Sequence, residues 1–259
     1  RDGHLERADL RQAGLDSTCG WWQSLALADL NGNGRLDLIA GNHGLNSRFR
    51  VSTDRPVEMW AGDFDRNGTF EQVFSAYSDE GAYLLPLRHN MLQQFPFLRP
   101  QYESYASYRG ETITDVFTQE QLDRTVHHRA EQLASIIGWN NGEGRFNTEQ
   151  LPFRAQLAPI YSILAEDLNG DRIPELLLGG NLHAVQPQMG SYDASYGTVL
   201  QQDSYGIYRE VPSKVSGFHS PGEIRSIHSL RSGGQNYILT ARSNQPLQVF
   251  KAANPIVSD

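Results

Sequence analysis

This sequence predicts an all-β fold: a partial β-propeller of about four blades, each a four-stranded antiparallel sheet, carrying cation-binding loops and one α-helical insertion. Three observations lead there. A nine-residue loop rich in Asp, Asn and Gly occurs at 29–37, 63–71 and 167–175, followed each time by an apolar run of strand length, Leu38-Ile39-Ala40, Val73-Phe74-Ser75 or Leu176-Leu177-Leu178. A tight turn of the form Asn/Asp-x-x-Gly-x-Phe/Tyr opens an aromatic-bearing strand at 141–146 and again at 203–208. Between these landmarks, 85–135 shows helical spacing instead.

The loops come first in the chain and carry the chemistry. Oxygen donors stand at positions 1, 3, 5 and 9 of each copy: Asp29, Asn31, Asn33 and Asp37; Asp63, Asp65, Asn67 and Glu71; Asp167, Asn169, Asp171 and Glu175. Position 7, occupied by Arg35, Thr69 and Ile173, can offer its backbone carbonyl. Such a set of carboxylates, amide oxygens and a carbonyl suits a hard cation with many ligands, calcium more than magnesium, so three calcium sites are expected. An EF-hand would need a bidentate Glu at position 12 between two helices, and position 12 here is Ala40, Phe74 or Leu178. Turn formation alone explains one copy. Three copies that all keep an acid at position 9 point to a metal.

Each blade then reads strand, metal loop, strand, connection, strand, glycine turn, strand. The unit around Asp167 fits this from about Pro159 to Val211. The unit around Asp63 is expected to contain the insertion between its second and third strands, and to end in the glycine turn at 141–146. The last unit, from Glu223 to Phe250, has a loop without carboxylates, Arg231-Ser232-Gly233-Gly234-Gln235-Asn236, and should bind no metal. Asp2-Gly3-His4-Leu5 reads as the tail of a further blade, so additional blades are expected from a longer parent chain or a second copy. The whole of 1–259 is taken as one propeller-fragment domain.

In the insertion, Thr118-Gln119-Glu120-Gln121 has the form of a capping box, and Leu122, Val126, Ala130 and Leu133 continue it as an amphipathic helix. Tyr102, Tyr105 and Tyr108 recur every third residue. That stripe reads first as packing and second as a ligand platform, because Tyr joins a large contact face to a polar tip.

The 259 residues carry a formal charge of −8 with no Lys/Arg run, which argues against nucleic acid or an anionic membrane as partner. No apolar run is long enough to cross a bilayer. A single cysteine, Cys19, excludes an internal disulfide and a thiolate zinc cluster. No nucleophile elbow, zinc-protease helix, P-loop or dinucleotide fingerprint is present, and no catalytic residues are assigned.

The loops, the Gly-Asn endings at Gly41-Asn42 and Gly180-Asn181, and the glycine turns resemble the FG-GAP/VCBS repeats of integrin-α-like β-propellers. Gly20-Trp21-Trp22, the stretch Leu151-Pro152-Phe153-Arg154-Ala155-Gln156-Leu157-Ala158-Pro159 and Tyr192-Asp193-Ala194-Ser195-Tyr196-Gly197 are similar to VCBS-containing Bacteroidetes proteins that also carry an ASPIC/UnbV domain. The resemblance implies an extracellular, periplasmic or outer-membrane-associated calcium propeller that serves adhesion or captures a glycan or protein. A carbohydrate-active enzyme using the propeller cleft and a purely structural spacer are the alternatives.

Overall fold

The computed structural model describes residues 3–78, 81–186 and 190–252. Its strands run in chain order as β1 (Ser24–Ala28), β2 (Asp37–Gly41), β3 (Val57–Gly62), β4 (Glu71–Ser78), β5 (Gly81–Leu84), β6 (Val126–Ala130), β7 (Ile136–Asn140) and β8 (Phe146–Gln150). They continue as β9 (Ile160–Glu166), β10 (Glu175–Gly180), β11 (Thr198–Gln202), β12 (Tyr208–Val211), β13 (Ile224–Ser232), β14 (Gln235–Arg242) and β15 (Gln248–Lys251). Short helices α1 (Arg88–Gln94), α2 (Tyr105–Tyr108), α3 (Ile113–Val116) and α4 (Gln119–Leu122) lie between β5 and β6, and α5 (Ser213–Ser216) follows β12.

The protein is all-β, with four antiparallel sheets ordered β1-β2-β7-β8, β5-β4-β3-β6, β9-β10-β11-β12 and β13-β14-β15. Two compact units divide the chain: residues 49–132, and the remainder.

In the larger unit the first sheet is interrupted in sequence. Leu38 pairs with Gly138 and Ile39 with Ile137, so β7 completes the sheet begun by β1 and β2. The turn at 141–146 therefore closes the sheet of the loop at 29–37, not that of the loop at 63–71 as the sequence order suggests. Both ends of the excursion are tied together, because Gly44 N–H donates to the Leu133 carbonyl at 2.8 Å.

β10 shows why its sequence is a continuous apolar run instead of an alternation. Every residue of it is buried. Leu176 and Leu178 pack with Leu30, Ile39, Ile137 and Ile160, while Leu177 faces Val199, Ile224, Ile227 and Ile238. A strand buried on both faces needs no polar side. The three sheets of this unit meet along their first strands: Ser24 Oγ donates to the Ile160 carbonyl at 2.7 Å, and Ile227 N–H donates to Ser162 Oγ at 2.8 Å. The Gly-Asn endings belong to this seam. A Cβ on Gly41 would come within 2.6 Å of the Ile160 carbonyl, and one on Gly180 would fall on the Pro159 carbonyl. Asn181 then donates to the Ser195 and Gly222 carbonyls at 2.7 and 2.8 Å.

Among the described residues the last sheet has three strands instead of four. Its β13–β14 connection is a two-residue hairpin through Gly233 (φ +58°) and Gly234 (φ +76°), a turn that requires positive φ at both positions. No nine-residue loop intervenes there.

In the unit 49–132, one sheet packs against the helical segment around Phe64, Val73, Met91, Phe95, Phe117 and Leu122. The capping box forms as expected: Thr118 N–H donates to Gln121 Oε1 at 2.9 Å and Gln121 N–H to Thr118 Oγ1 at 3.4 Å. The helix does not run on. It stops at Leu122, and 126–130 is strand β6, paired with β3 through Met59–His128 and Trp60–His127. Val126 is 53 % exposed, so the four-residue spacing that suggested a helix is not a buried stripe. Pairing to β3 satisfies the backbone and stacks the Trp60 and His127 rings at 3.8 Å, which outweighs the weak helical period. The helices thus occupy 88–122, a shorter span than the expected 85–135. Of the expected terminal blade fragment, Asp2 lies outside the described residues, and Gly3, His4 and Leu5 are exposed and form no strand.

Candidate metal centres

Each nine-residue loop links two neighbouring antiparallel strands, β1–β2, β3–β4 or β9–β10, and all three fold by the same rules. The carboxylate at position 1 reaches across the turn: Asp29 accepts from Asn33 N–H (3.1 Å) and Gly34 N–H (2.7 Å). Asp63 accepts from Asn67 N–H (3.0 Å) and Gly68 N–H (2.9 Å), and Asp167 from Gly170 N–H (2.7 Å) and Arg172 N–H (2.8 Å). Position 3 receives the N–H of position 5 on Asn31, Asp65 and Asn169. Position 5 receives that of position 7, at 2.9 Å for Asn33 from Arg35, 2.6 Å for Asn67 from Thr69 and 2.8 Å for Asp171 from Ile173. These local side-chain to backbone bonds are why Asp and Asn alternate here.

The curvature needs positive φ at positions 4 and 6. Gly32, Gly34, Gly68 and Gly170 supply it without strain, but Arg66 (φ +61°) and Arg172 (φ +73°) adopt it with full side chains.

Position 9 closes the loop from below. Asp37, Glu71 and Glu175 are buried, at 0, 4 and 5 % exposure, and each accepts the backbone N–H of position 2: Leu30 at 3.1 Å, Phe64 at 3.3 Å and Leu168 at 2.8 Å. Leu30 and Phe64 anchor the hydrophobic cores, so an apolar position 2 belongs to the motif. The side-chain pattern drew attention to the oxygens and missed this residue, although Leu30, Phe64 and Leu168 were legible as a repeated apolar position.

The loops differ in how their acids are compensated. In the first, Asp37 also accepts Asn140 N–H at 2.8 Å. In the third, the Asn169 amide donates to Asp171 Oδ2 (2.9 Å) and Glu175 Oε1 (2.7 Å). The second loop has Asp65 at position 3, which as a carboxylate cannot donate. Ligand oxygens of Asp63, Asp65 and Glu71 lie within 4.8 Å of one another, and Glu71 Oε1 is buried with no hydrogen-bond partner among the described residues. Burial, and after it the charges of Asp65 and Asp63, raises the Glu71 pKa above the ordinary carboxylate value; burial with Asp171 and Asp167 does the same for Glu175. Asp29 is lowered, chiefly by the Gly34 N–H. A buried carboxylate oxygen facing two more acids is what a divalent cation would compensate. The residues of the second loop therefore fit a metal.

The tyrosines do not form a shared surface. Tyr102 and Tyr108 are buried, edge to face at 5.4 Å, with their hydroxyls donating to Glu111 Oε2 and the Pro86 carbonyl. Tyr105 alone is exposed, beside His89.

An FG-GAP repeat model matches residues 21–53. The FG-GAP match takes in β1, the loop at 29–37 and β2. Outside it, the loop at 63–71 repeats the position-1 hydrogen bonds of the first, from positions 5 and 6, and the loop at 167–175 makes them from positions 4 and 6. A comparison with curated proteins finds no match. No helix among the described residues is long and apolar enough to cross a membrane.

Proposed function

We propose that this chain is a calcium-stabilised, extracytoplasmic binding module that presents a ligand surface on FG-GAP-like sheets. The observation that carries the metal reading is the unpartnered, buried Glu71 Oε1 within the Asp63–Asp65–Glu71 cluster. Each loop would hold its ion through positions 1, 3, 5 and 9, with the carbonyls of Arg35, Thr69 and Ile173 as further ligands. The ion would supply positive charge and no reactivity. FG-GAP repeats are often ligand-binding or adhesion modules and are typical of extracellular proteins, which supports both the binding role and the location. Calcium at extracellular concentration would also suit loops of only two or three acids, since fewer charged ligands mean weaker sites. The affinity with VCBS proteins that carry an ASPIC/UnbV domain belongs to the same proposal.

Thermal melts in chelator, then with calcium or magnesium restored, test this reading. Calcium should raise the melting temperature more than magnesium does. Identical curves in chelator and in calcium would contradict it.

A further inference from the structure

Two stretches singled out in the sequence, 151–159 and 192–197, take no part in the metal loops, yet they meet at one cleft. Phe153–Gln156 is a short 3-10 turn held by Gln156, which is buried and donates to the Ser135 and Leu151 carbonyls at 2.9 and 3.0 Å. This leaves Arg154 on the surface, 3.3 Å from Glu210.

The second stretch is fixed just as firmly. Ser195 N–H donates to Asn181 Oδ1 at 3.1 Å, and the Asn181 amide returns a bond to the Ser195 carbonyl. The Tyr196 carbonyl accepts from Ser220 N–H at 2.8 Å. Gly197 (φ +82°) sits so close to Phe218 that a Cβ would come within 2.5 Å of its ring. The backbone on both sides of Tyr196 is thus held, while the residue is 56 % exposed and its ring stacks on His219 at 5.2 Å with 17° between the planes.

Arg154, Ser195, Tyr196, Glu210, Ser213 and His219 all line a cleft of about 140 Å³. We propose that this cleft is a subsite for one pyranose ring of a neutral glycan. The proposal rests on the binding-module reading and names its ligand class. A sugar ring has an apolar C–H face and a polar hydroxyl rim. The exposed Tyr196, its ring stacked on His219, matches the first; the guanidinium fork, the carboxylate and the serine hydroxyls match the second, because vicinal hydroxyls can donate and accept together. Arg154 and Glu210 offset each other's charge, which favours a neutral ligand over a phosphate or a uronate. The cleft is far smaller than the few hundred Å³ of a drug-sized pocket, so it accepts one ring of a longer chain. A rigid, exposed aromatic backed by fixed main chain is the arrangement that loses least entropy on binding.

The test is an array of neutral oligosaccharides probed in calcium with the full chain and with Tyr196→Ala, Tyr196→Phe, Arg154→Ala and, as a distant control, Tyr205→Ala, whose parent side chain is 86 % exposed. At least one neutral glycan should be retained. Tyr196→Ala and Arg154→Ala should each weaken it about ten-fold or more, whereas Tyr196→Phe and Tyr205→Ala stay near wild type. Retention of no neutral glycan, or equal retention by Tyr196→Ala, overturns the subsite. If Tyr196→Ala melts early, Arg154→Ala decides by the same criterion. Melting curves with and without calcium, run on the same samples, keep the two readings apart. Tyr196-dependent retention without a calcium shift supports the subsite and removes the metal, and a calcium shift with Tyr196-independent retention does the reverse.

Discussion

Asp37 Oδ1 accepts a hydrogen bond from Asn140 N–H at 2.8 Å, across 103 positions of sequence. The last acid of the loop at 29–37 is clamped to a strand that the chain reaches only after completing the unit 49–132. This pairing identifies that unit as an insertion within a sheet.

Removing the insertion should therefore leave its host folded. Because Gly44 and Leu133 are already hydrogen-bonded, a short Gly/Ser linker replacing 49–132 spans a gap that is closed in the native chain. The shortened protein should melt cooperatively and keep its β-sheet circular dichroism. Loss of the sheet signal would show that the larger unit depends on the insertion.

The seam between the sheets is close-packed at Gly179, where a Cβ would meet Ile224 Cγ2 at 2.5 Å. Gly179→Ala should destabilise by about 1–3 kcal/mol through overpacking, read as a lower denaturation midpoint with an unchanged slope. A neutral result would mean that β10 and β13 are not pressed together as described.

Much of this was legible beforehand. The three loops, the strands that follow them and the sheet at 160–211 could be read because Asp, Asn and Gly there obey local rules: side chain to backbone bonds and positive φ. The pairing of β2 with β7 could not, since the sequence order of loop and glycine turn assigns 141–146 to the nearer loop and only tertiary register assigns it to the farther one. The strand at 126–130 was missed because Val126 and Ala130 continue the helical spacing of Leu122, while the partner that makes them a strand, β3, lies some 70 residues earlier, with Trp60 opposite His127. The sugar cleft is a juxtaposition of two short stretches whose sequences carry no shared period.

Arg172 holds φ at +73° in the third loop, a conformation that costs a side-chain-bearing residue about 1–2 kcal/mol and glycine nothing. Arg172→Gly should raise stability by roughly 0.5–1 kcal/mol after the extra chain entropy of glycine is counted. A lower melting temperature would indicate that the Arg172 side chain makes a compensating contact.

His43 gives a pH dependence with a definite sign. Burial between Trp21 (4.9 Å) and Tyr192 (4.4 Å) pushes its pKa down from 6.5 to about 4. Between those values the unfolded chain holds the extra proton, so the contribution of His43 is complete above pH 6.5 and falls as the pH drops toward 4. The loss should reach about 2–3 kcal/mol at the acid end. Stability curves of wild type and His43→Phe measured from pH 7 to 4 should diverge in slope, with wild type the steeper; parallel curves would exclude the linkage.

The central claim of the proposed function is that the carboxylate loops hold calcium, and equilibrium dialysis with metal analysis tests it most directly. Wild type should retain calcium at close to three ions per chain, one for each loop at 29–37, 63–71 and 167–175. Glu71→Gln should retain one fewer, because Gln removes the charge from the buried Oε1 that has no hydrogen-bond partner among the described residues. A chain that retains no calcium at millimolar concentration, or a Glu71→Gln protein with undiminished stoichiometry, would contradict the account.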